Sequence, residues 1–434
     1  MTRATPATVW DDFLATTRDA FGGPAFGIFQ TLMVGWVLAP GRRTITNMIC
    51  VGDPDNTRAH DAYHRFIRCG AWSLDTLWAV LTRMLVTRFC TTGPVTLDVD
   101  DTLFHKTGRN INGAGVFRDA VASTRSKVVY ALGLNLVVVT LRVTPPWAGC
   151  PIALPVAMAL NRKNGSDTTT ELAETALRQL AGRLPDRELT VCGDGAYACL
   201  IGRDLPNTTI TSRMRRDAAI YEAPPPPTGK PGRPRTKGDR LPTPAALANT
   251  LTDADFTLVK HDRRGTTTEA LVYTIKVLWY AVHKTEMVNL HIVRDPTGHQ
   301  RDDFFVTNDL DTTPATICAR YHGRWSIEIC FREVKQCLGA QNPQSWKHQG
   351  PERAAALSLW LYSSIWATHL TAHGNTPTWT ERAWYRNKRV PSFIDALATL
   401  RHDLWTRRIT AMSPALPQLP KIFDTIINAL ATAA

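Results

Sequence analysis

The chain has 434 residues, 44% hydrophobic and 20% charged, which is long and apolar enough for two or three domains with a sizeable core and excludes wholesale disorder. Lys and Arg number 50 against 38 Asp and Glu, so the formal net charge is +12 and the pI near 9.4; a polyanionic partner is favoured, nucleic acid before membrane. Nine cysteines without a C-x-x-C pair exclude a zinc site or a disulfide frame and read as reduced, mostly buried cytosolic thiols.

Asp11, Asp12 and Asp19 precede any apolar run, which is wrong for a signal peptide. The uncharged stretch 20–41 is long enough for a membrane span, but Gly22, Gly23, Pro24 and Gly27 break its first half. A buried helix from about Phe26 to Leu38 is expected instead, and no membrane association. Residues 1–92 read as a helical region, DNA-binding or dimerising, with a helix start at Ser73 and Asp75. From 93 to 216 the pattern changes. "PVTLDVD", 128–143 and 152–160 read as strands, 168–184 as an amphipathic helix, and "ELTVCGDGAY" as a buried strand ending near Asp194. This order predicts an α/β sheet with acids at its strand ends.

Residues 217–312 open with a basic Pro/Gly-rich loop, 222–244, followed by β-like runs. Thr313 and Pro314 then form a helix start for a segment running to 345, and 346–434 is a helical tail rich in Trp and Arg. Within the loop, "PGRPR" at 231–235 resembles an AT-hook core, so Arg233 and Arg235 are candidate minor-groove contacts.

Two chemistries compete for "TLDVDDTLF" at 96–104. It resembles the first motif of haloacid dehalogenase-like phosphatases, with Asp98 as nucleophile, Asp100 as acid/base and Thr102 on the phosphate; "GDG" at 193–195 and Lys163 fit further parts of that pattern. Ala198 and Cys199, however, stand where that family needs its second magnesium carboxylate. The +12 charge also finds no use in a phosphatase, and neither does the polar cluster at 321–335.

That cluster is "YHGRWSIEICFREVK". On one helix Tyr321, Arg324, Glu328 and Lys335 fall within roughly 60° of each other at ~100° per residue, beside an apolar face of Ile327, Phe331, Val334 and Leu338. An Arg–Glu pair at i, i+4 is common on solvated helices. The four-residue stripe is more specific. Its Y-x2-R-x3-E-x6-K spacing resembles the Tyr-Arg-Glu-Lys signature of a group of DDE transposases from bacterial insertion sequences.

The resemblance implies an RNase H-like α/β core with a β-rich insertion, flanked by helical N- and C-terminal regions. It implies a catalytic, metal-binding triad of Asp100, Asp194 and Glu328, with Tyr321, Arg324 and Lys335 on the transposon-end DNA. Val99, Asp100 and Thr102 fit the family's first motif, with Asp101 the alternative one residue on, and Tyr197 follows Asp194 as is often seen there. Strand alternation puts Asp98 and Asp100 on one face and Asp101 on the other, leaving Asp98 as a supporting acid or a solvated edge residue. An all-carboxylate donor set suits Mg²⁺ or Mn²⁺, and phosphodiester cleavage of this class uses two such ions. The activity implied is cleavage at terminal inverted repeats and joining of the 3′ ends to target DNA, by a cytoplasmic, nucleoid-associated bacterial protein that pairs two ends as a homodimer. The alternative is a domesticated DNA-binding derivative, or a non-transposing phosphodiesterase of the same fold. Trp279 and Tyr280 on the insertion are candidates for base stacking, and His105 and Lys106 for DNA contact.

Overall fold

The computed structural model describes residues 5–124, 126–147, 150–226, 234–379, 381, 384–412 and 421–433. Five helices come first: α1 (Pro6–Thr16), α2 (Gly23–Leu38), α3 (Ile45–Gly52), α4 (His60–Cys69) and α5 (Leu74–Phe89). Ser73 caps α5 by accepting from the Thr76 amide, as its sequence suggests. Helix α2 starts three residues before the expected Phe26. Gly22 is its extended N-cap and Pro24 lies in its first turn, so the residues expected to break the helix begin it. Close packing of α3 needs Gly35 on α2, where a Cβ would lie 2.2 Å from the Met48 carbonyl oxygen.

The central region supplies β1 (Val95–His105), β2 (Gly115–Arg118), β3 (Tyr130–Val143), β4 (Ile152–Asn161), α6 (Thr169–Arg183), β5 (Leu189–Gly193) and β6 (Thr208–Arg213). Thr168 and Glu171 close a reciprocal capping box at the head of α6. Then follow α7 (Pro244–Thr250), β7 (Thr257–Arg263), β8 (Thr266–Val277), β9 (Val288–Arg294) and β10 (Asp303–Thr307).

Among the described residues these ten strands form one sheet in the order β2-β3-β1-β5-β6-β10-β9-β8-β7, with β4 also paired to β3. Strand β1 is antiparallel to β3 and parallel to β5, and β5 is parallel to β6. Strand β10 pairs antiparallel with β6, so the strands of the expected insertion extend the same sheet instead of standing apart. A mixed α/β protein of this kind, with one large sheet and twelve helices among the described residues, is consistent with a DDE/RNase H-like nuclease fold.

Strand β1 is longer than expected. It pairs with β3 as far as His105 but with β5 only to Val99, opposite Gly193. The acids therefore lie where the parallel pairing stops, not where β1 itself ends.

The last helices are α8 (Pro314–Gly323), α9 (Trp325–Gln336), α10 (Gly350–His373), α11 (Phe393–Met412) and α12 (Lys421–Thr432). The single helix expected over 321–335 is two. At Arg324 the backbone stays in the helical region, but its amide bonds to the Tyr321 carbonyl at 3.2 Å and its carbonyl takes the Ile327 amide at 3.0 Å. These three-residue spans tighten the chain locally and re-aim α9.

Helix α10 is buried along nearly its whole length and joins both ends of the chain to the sheet. Trp360 meets Phe13 and Phe29 at 5.4 and 5.3 Å between ring centroids, and the Ser363 hydroxyl donates to the Pro155 carbonyl on β4 at 2.8 Å. Arg353 donates to the Gly70 and Trp72 carbonyls at 2.8 and 3.0 Å, and Arg401 of α11 to that of Val37 at 2.6 Å. The two helical regions at the ends of the sequence are thus one layer.

Tyr362 of α10 donates to Glu333 of α9 at 2.7 Å, and burial pushes the Glu333 carboxyl up to about 7. A raised acid favours the folded state while it keeps its proton. Its contribution is full below about 4.5, the unfolded value, and is lost as pH rises to about 7. Glu333→Gln, which keeps an acceptor for Tyr362, is expected to raise stability by about 1–2 kcal/mol at pH 8 and to change little at pH 4, as read by urea unfolding at both pH values.

Candidate active site

Strand β1 sends Asp98, Asp100 and Thr102 to one face and Asp101 and Leu103 to the other. Asp98 is fully buried, and both of its oxygens are held by Arg142 of β3: Nε donates to Oδ2 at 3.1 Å, and Nη2 pairs with Oδ1. Arg142 also donates from Nη1 to the Arg320 carbonyl at 2.8 Å, tying β1 and β3 to α8. Asp98 is therefore neither a solvated edge residue nor a free nucleophile. Lys163, the lysine of the phosphatase pattern, lies 5.6 Å over the Phe117 ring.

Asp100 faces the junction of α8 and α9. Arg324, only 8% exposed, bridges two carboxylates: Nη1 donates to Asp100 Oδ2 at 2.8 Å and Nη2 to Glu328 Oε1 at 2.6 Å. The break at Arg324 lets one guanidinium reach both. Asp194 follows Gly193, the last β5 residue paired with β1, so Asp100 and Asp194 hold successive positions on strands about 5 Å apart. Asp194 Oδ1 accepts the Ala196 amide at 2.8 Å at the head of a 3-10 turn, Gly195–Gly202, and its carbonyl accepts the Ser212 hydroxyl at 2.6 Å.

The electrostatics agree with this crowding. Burial drives the Asp100 carboxyl up to about 7; Arg324 opposes the rise, while Asp194 and Asp101 add to it. Burial also raises the Tyr197 phenol, and Asp101, Asp100 and Asp194 raise it further, so one ring stands among three aspartates. Asp101 lies on the opposite face of β1 and accepts from Tyr197 Oη at 3.3 Å. Of the two adjacent acids, Asp100 is the one joined to Glu328 through a shared partner.

The other expected contact residues are dispersed. Tyr321 stacks on Phe305 with centroids 4.3 Å apart, between the guanidinium groups of Arg213 at 5.9 Å and Arg324 at 5.8 Å. Lys335 is half-buried with Nζ 5.8 Å over the Phe104 ring; burial lowers its pKa and Asp119 counteracts this. Arg235 is exposed and paired with Asp239 at 2.8 Å, whereas Arg233 lies outside the described residues. Trp279 is buried, and Tyr280 has Lys237 Nζ 5.0 Å over its ring. His105 pairs with Asp119 at 2.8 Å. Lys106 donates to the Gln341 carbonyl at 2.9 Å, and burial lowers its ammonium to about 8.

Sequence reasoning missed Arg142 and the arginines after β6. A lone arginine inside the apolar run "LVVVTLRV" was the available signal, since a charge on a buried strand needs a partner.

Oxygen ligands and a surplus of negative charge are what a hard divalent cation asks for. Among the described residues, however, no group of three or more His, Cys, Asp or Glu side chains stands close enough together to hold a metal ion, and the gap between Asp100 and Glu328 is filled by Arg324. Among the described residues no helix is long and apolar enough to cross a membrane.

No curated protein matches the chain. A sequence model of the family described as DDE superfamily endonuclease matches residues 20–274, more than half of the chain, a span that contains Asp100 and Asp194 and ends before Glu328. Endonucleases of this family typically use divalent metals, and the chain belongs to the DDE superfamily endonucleases.

Proposed function

We propose that the protein is a DNA transposase that cuts phosphodiester bonds at its element's terminal inverted repeats and joins the 3′ ends to target DNA. The observation that carries this is the bridge Asp100–Arg324–Glu328, in which one cation joins two acids from distant parts of the sequence, with Asp194 close enough to act on the Asp100 carboxyl. The family supports nuclease chemistry in general, and the +12 charge supports DNA as the substrate. The mixed sheet supports an RNase H-like core from β1 to β6, with β7–β10 as its β-rich insertion.

Asp100, Asp194 and Glu328 would hold Mg²⁺ or Mn²⁺, provided Arg324 leaves the gap it now fills. Divalent ions, when bound, supply a nucleophile near neutral pH and neutralise charge on the phosphoryl group in flight. The chain's own residues do the rest. Arg142 neutralises Asp98 and holds β1 to β3, so that Asp100 points towards α9. The Asp194 cap fixes the turn from which Tyr197 reaches Asp101. Arg324, once released from the carboxylates, has its donors free for a phosphate of the bound end, with Tyr321 beside it and Lys335 further along α9. A homodimer pairing two ends belongs to the same proposal.

The test is cleavage of DNA carrying the inverted repeats that flank the gene, with a scrambled-end duplex as control. Cuts at the repeat boundary that need Mg²⁺ or Mn²⁺ and vanish in EDTA are expected. Tight binding of the repeats with no cutting under any divalent ion would make the protein a DNA-binding derivative. Turnover of a small phosphomonoester dependent on Asp98 would restore the phosphatase.

A further inference from the structure

A cavity of about 390 Å³ opens next to Asp194, lined by Gly195, Arg213, Arg216, Arg301, Asp303 and Phe304 among others. Its position follows from the sheet. Parallel β5 and β6 pair Cys192 with Thr211, which brings Arg213 level with Asp194, and β10 pairs Phe305 with Arg213. The cavity therefore sits on the β6–β10 side of the acids, whereas Lys335 sits on the β1 side over Phe104.

Its charges do not balance internally. Asp303 is taken by Arg213, Asp302 by Arg294 at 3.0 Å, and Arg215 pairs with Asp217 at 2.8 Å. Arg216 lies 5.2 Å over the Phe304 ring, and among the described residues its side chain donates only to a backbone carbonyl, that of Asp302, at 3.3 Å. Among the described residues neither Arg216 nor Arg301 is paired with a carboxylate. Two guanidinium groups without a carboxylate partner among the described residues thus line one solvent-open cavity. A guanidinium presents its N–H fork to phosphate oxygens better than to any other common biological anion.

Arg213, paired with Asp303, lies 5.9 Å from the Tyr321 ring, and Arg324 lies 5.8 Å from the same ring. Tyr321 thus connects an arginine of the cavity wall to the arginine that bridges Asp100 and Glu328.

We propose that this cavity is a phosphate-binding subsite in which Arg216 and Arg301 grip the DNA strand on the side of the carboxylates away from Lys335. The proposal rests on the reading of the protein as a DNA-cutting enzyme, and deepens it by giving the strand a second anchoring point across the acids.

Fluorescence anisotropy of the full-length protein with a labelled 30-base-pair duplex, titrated from 50 to 200 mM KCl, tests it. Each phosphate contact contributes about 0.9 to the slope of log affinity against log salt. The double variant Arg216→Gln, Arg301→Gln, which keeps the aliphatic stems, is expected to lose about 1.8 from that slope. The variant Arg183→Gln, Arg187→Gln, at the end of α6 and just before β5 and so at the end of that strand away from Asp194, removes the same charge and is expected to leave the slope unchanged. An unchanged slope in the cavity variant, or an equal loss in both, overturns the subsite and leaves the DNA-cutting reading standing. Wild-type protein that binds the duplex with no salt dependence overturns both. A far-UV melt identifies misfolding; should the Gln pair misfold, Arg301→Gln alone is expected to lose about 0.9, and no loss overturns the proposal.

Discussion

Asp194→Ala is expected to lower metal-dependent cleavage of the flanking repeats at least ~10³-fold while duplex affinity stays within about twofold. The carboxylate is one of three that would meet at the reacting phosphate, and its loss leaves Asp100 and Glu328 without the third. Its structural work is smaller. Oδ1 caps a 3-10 turn through the Ala196 amide, and the Ser212 hydroxyl is held by the Asp194 main chain, which alanine keeps. The lost cap costs about 1 kcal/mol. Asp194→Asn separates the two roles, since the amide oxygen still caps but carries no charge. Equal loss of cleavage in both variants, with the Asn protein melting like wild type, ties the effect to charge at the site. Wild-type cleavage by either variant removes Asp194 from the chemistry and leaves DNA binding as the function. A gel assay of cleavage beside a binding titration reads both.

Asp98→Ala is expected to cost about 3–5 kcal/mol of stability, measured by urea unfolding, because Arg142 then stays buried with its charge uncompensated. Burial works against the Arg142 charge and Asp98 more than restores it. The double variant Asp98→Leu, Arg142→Met replaces the pair with apolar volume, and is expected to recover most of that loss even though the bond to the Arg320 carbonyl goes too. A single variant as stable as wild type would mean the pair does not anchor β1 to β3.

The sequence made the acids visible for a local reason. Alternation along "LDVDDT" separates Asp98 and Asp100 from Asp101 whatever else the chain does. The cap at Thr313 and the box at Thr168 were visible for the same reason, since each is complete within four residues. The partner of Asp98 was not visible. Arg142 is reached across a strand pairing whose register no short segment encodes. The break at Arg324 was hidden differently: its backbone keeps helical dihedrals, so the apolar period runs on through the junction. The strands after residue 256 were recognisable as strands, but their union with β6 depends on β10, which lies 90 residues from its partner in the Asp303–Arg213 ion pair.

The shared helical layer also sets a timetable for synthesis. Helices α1 to α5 leave the ribosome first, yet Phe13, Phe29 and the Trp72 carbonyl wait for Trp360 and Arg353. About 260 residues separate the end of α5 from the start of α10, or roughly 15–50 s of elongation at 5–20 residues per second. During that interval the nascent N-terminal helices carry uncovered aromatic surface. A holdase chaperone that binds such surface would find its target on the growing chain and lose it when α10 emerges.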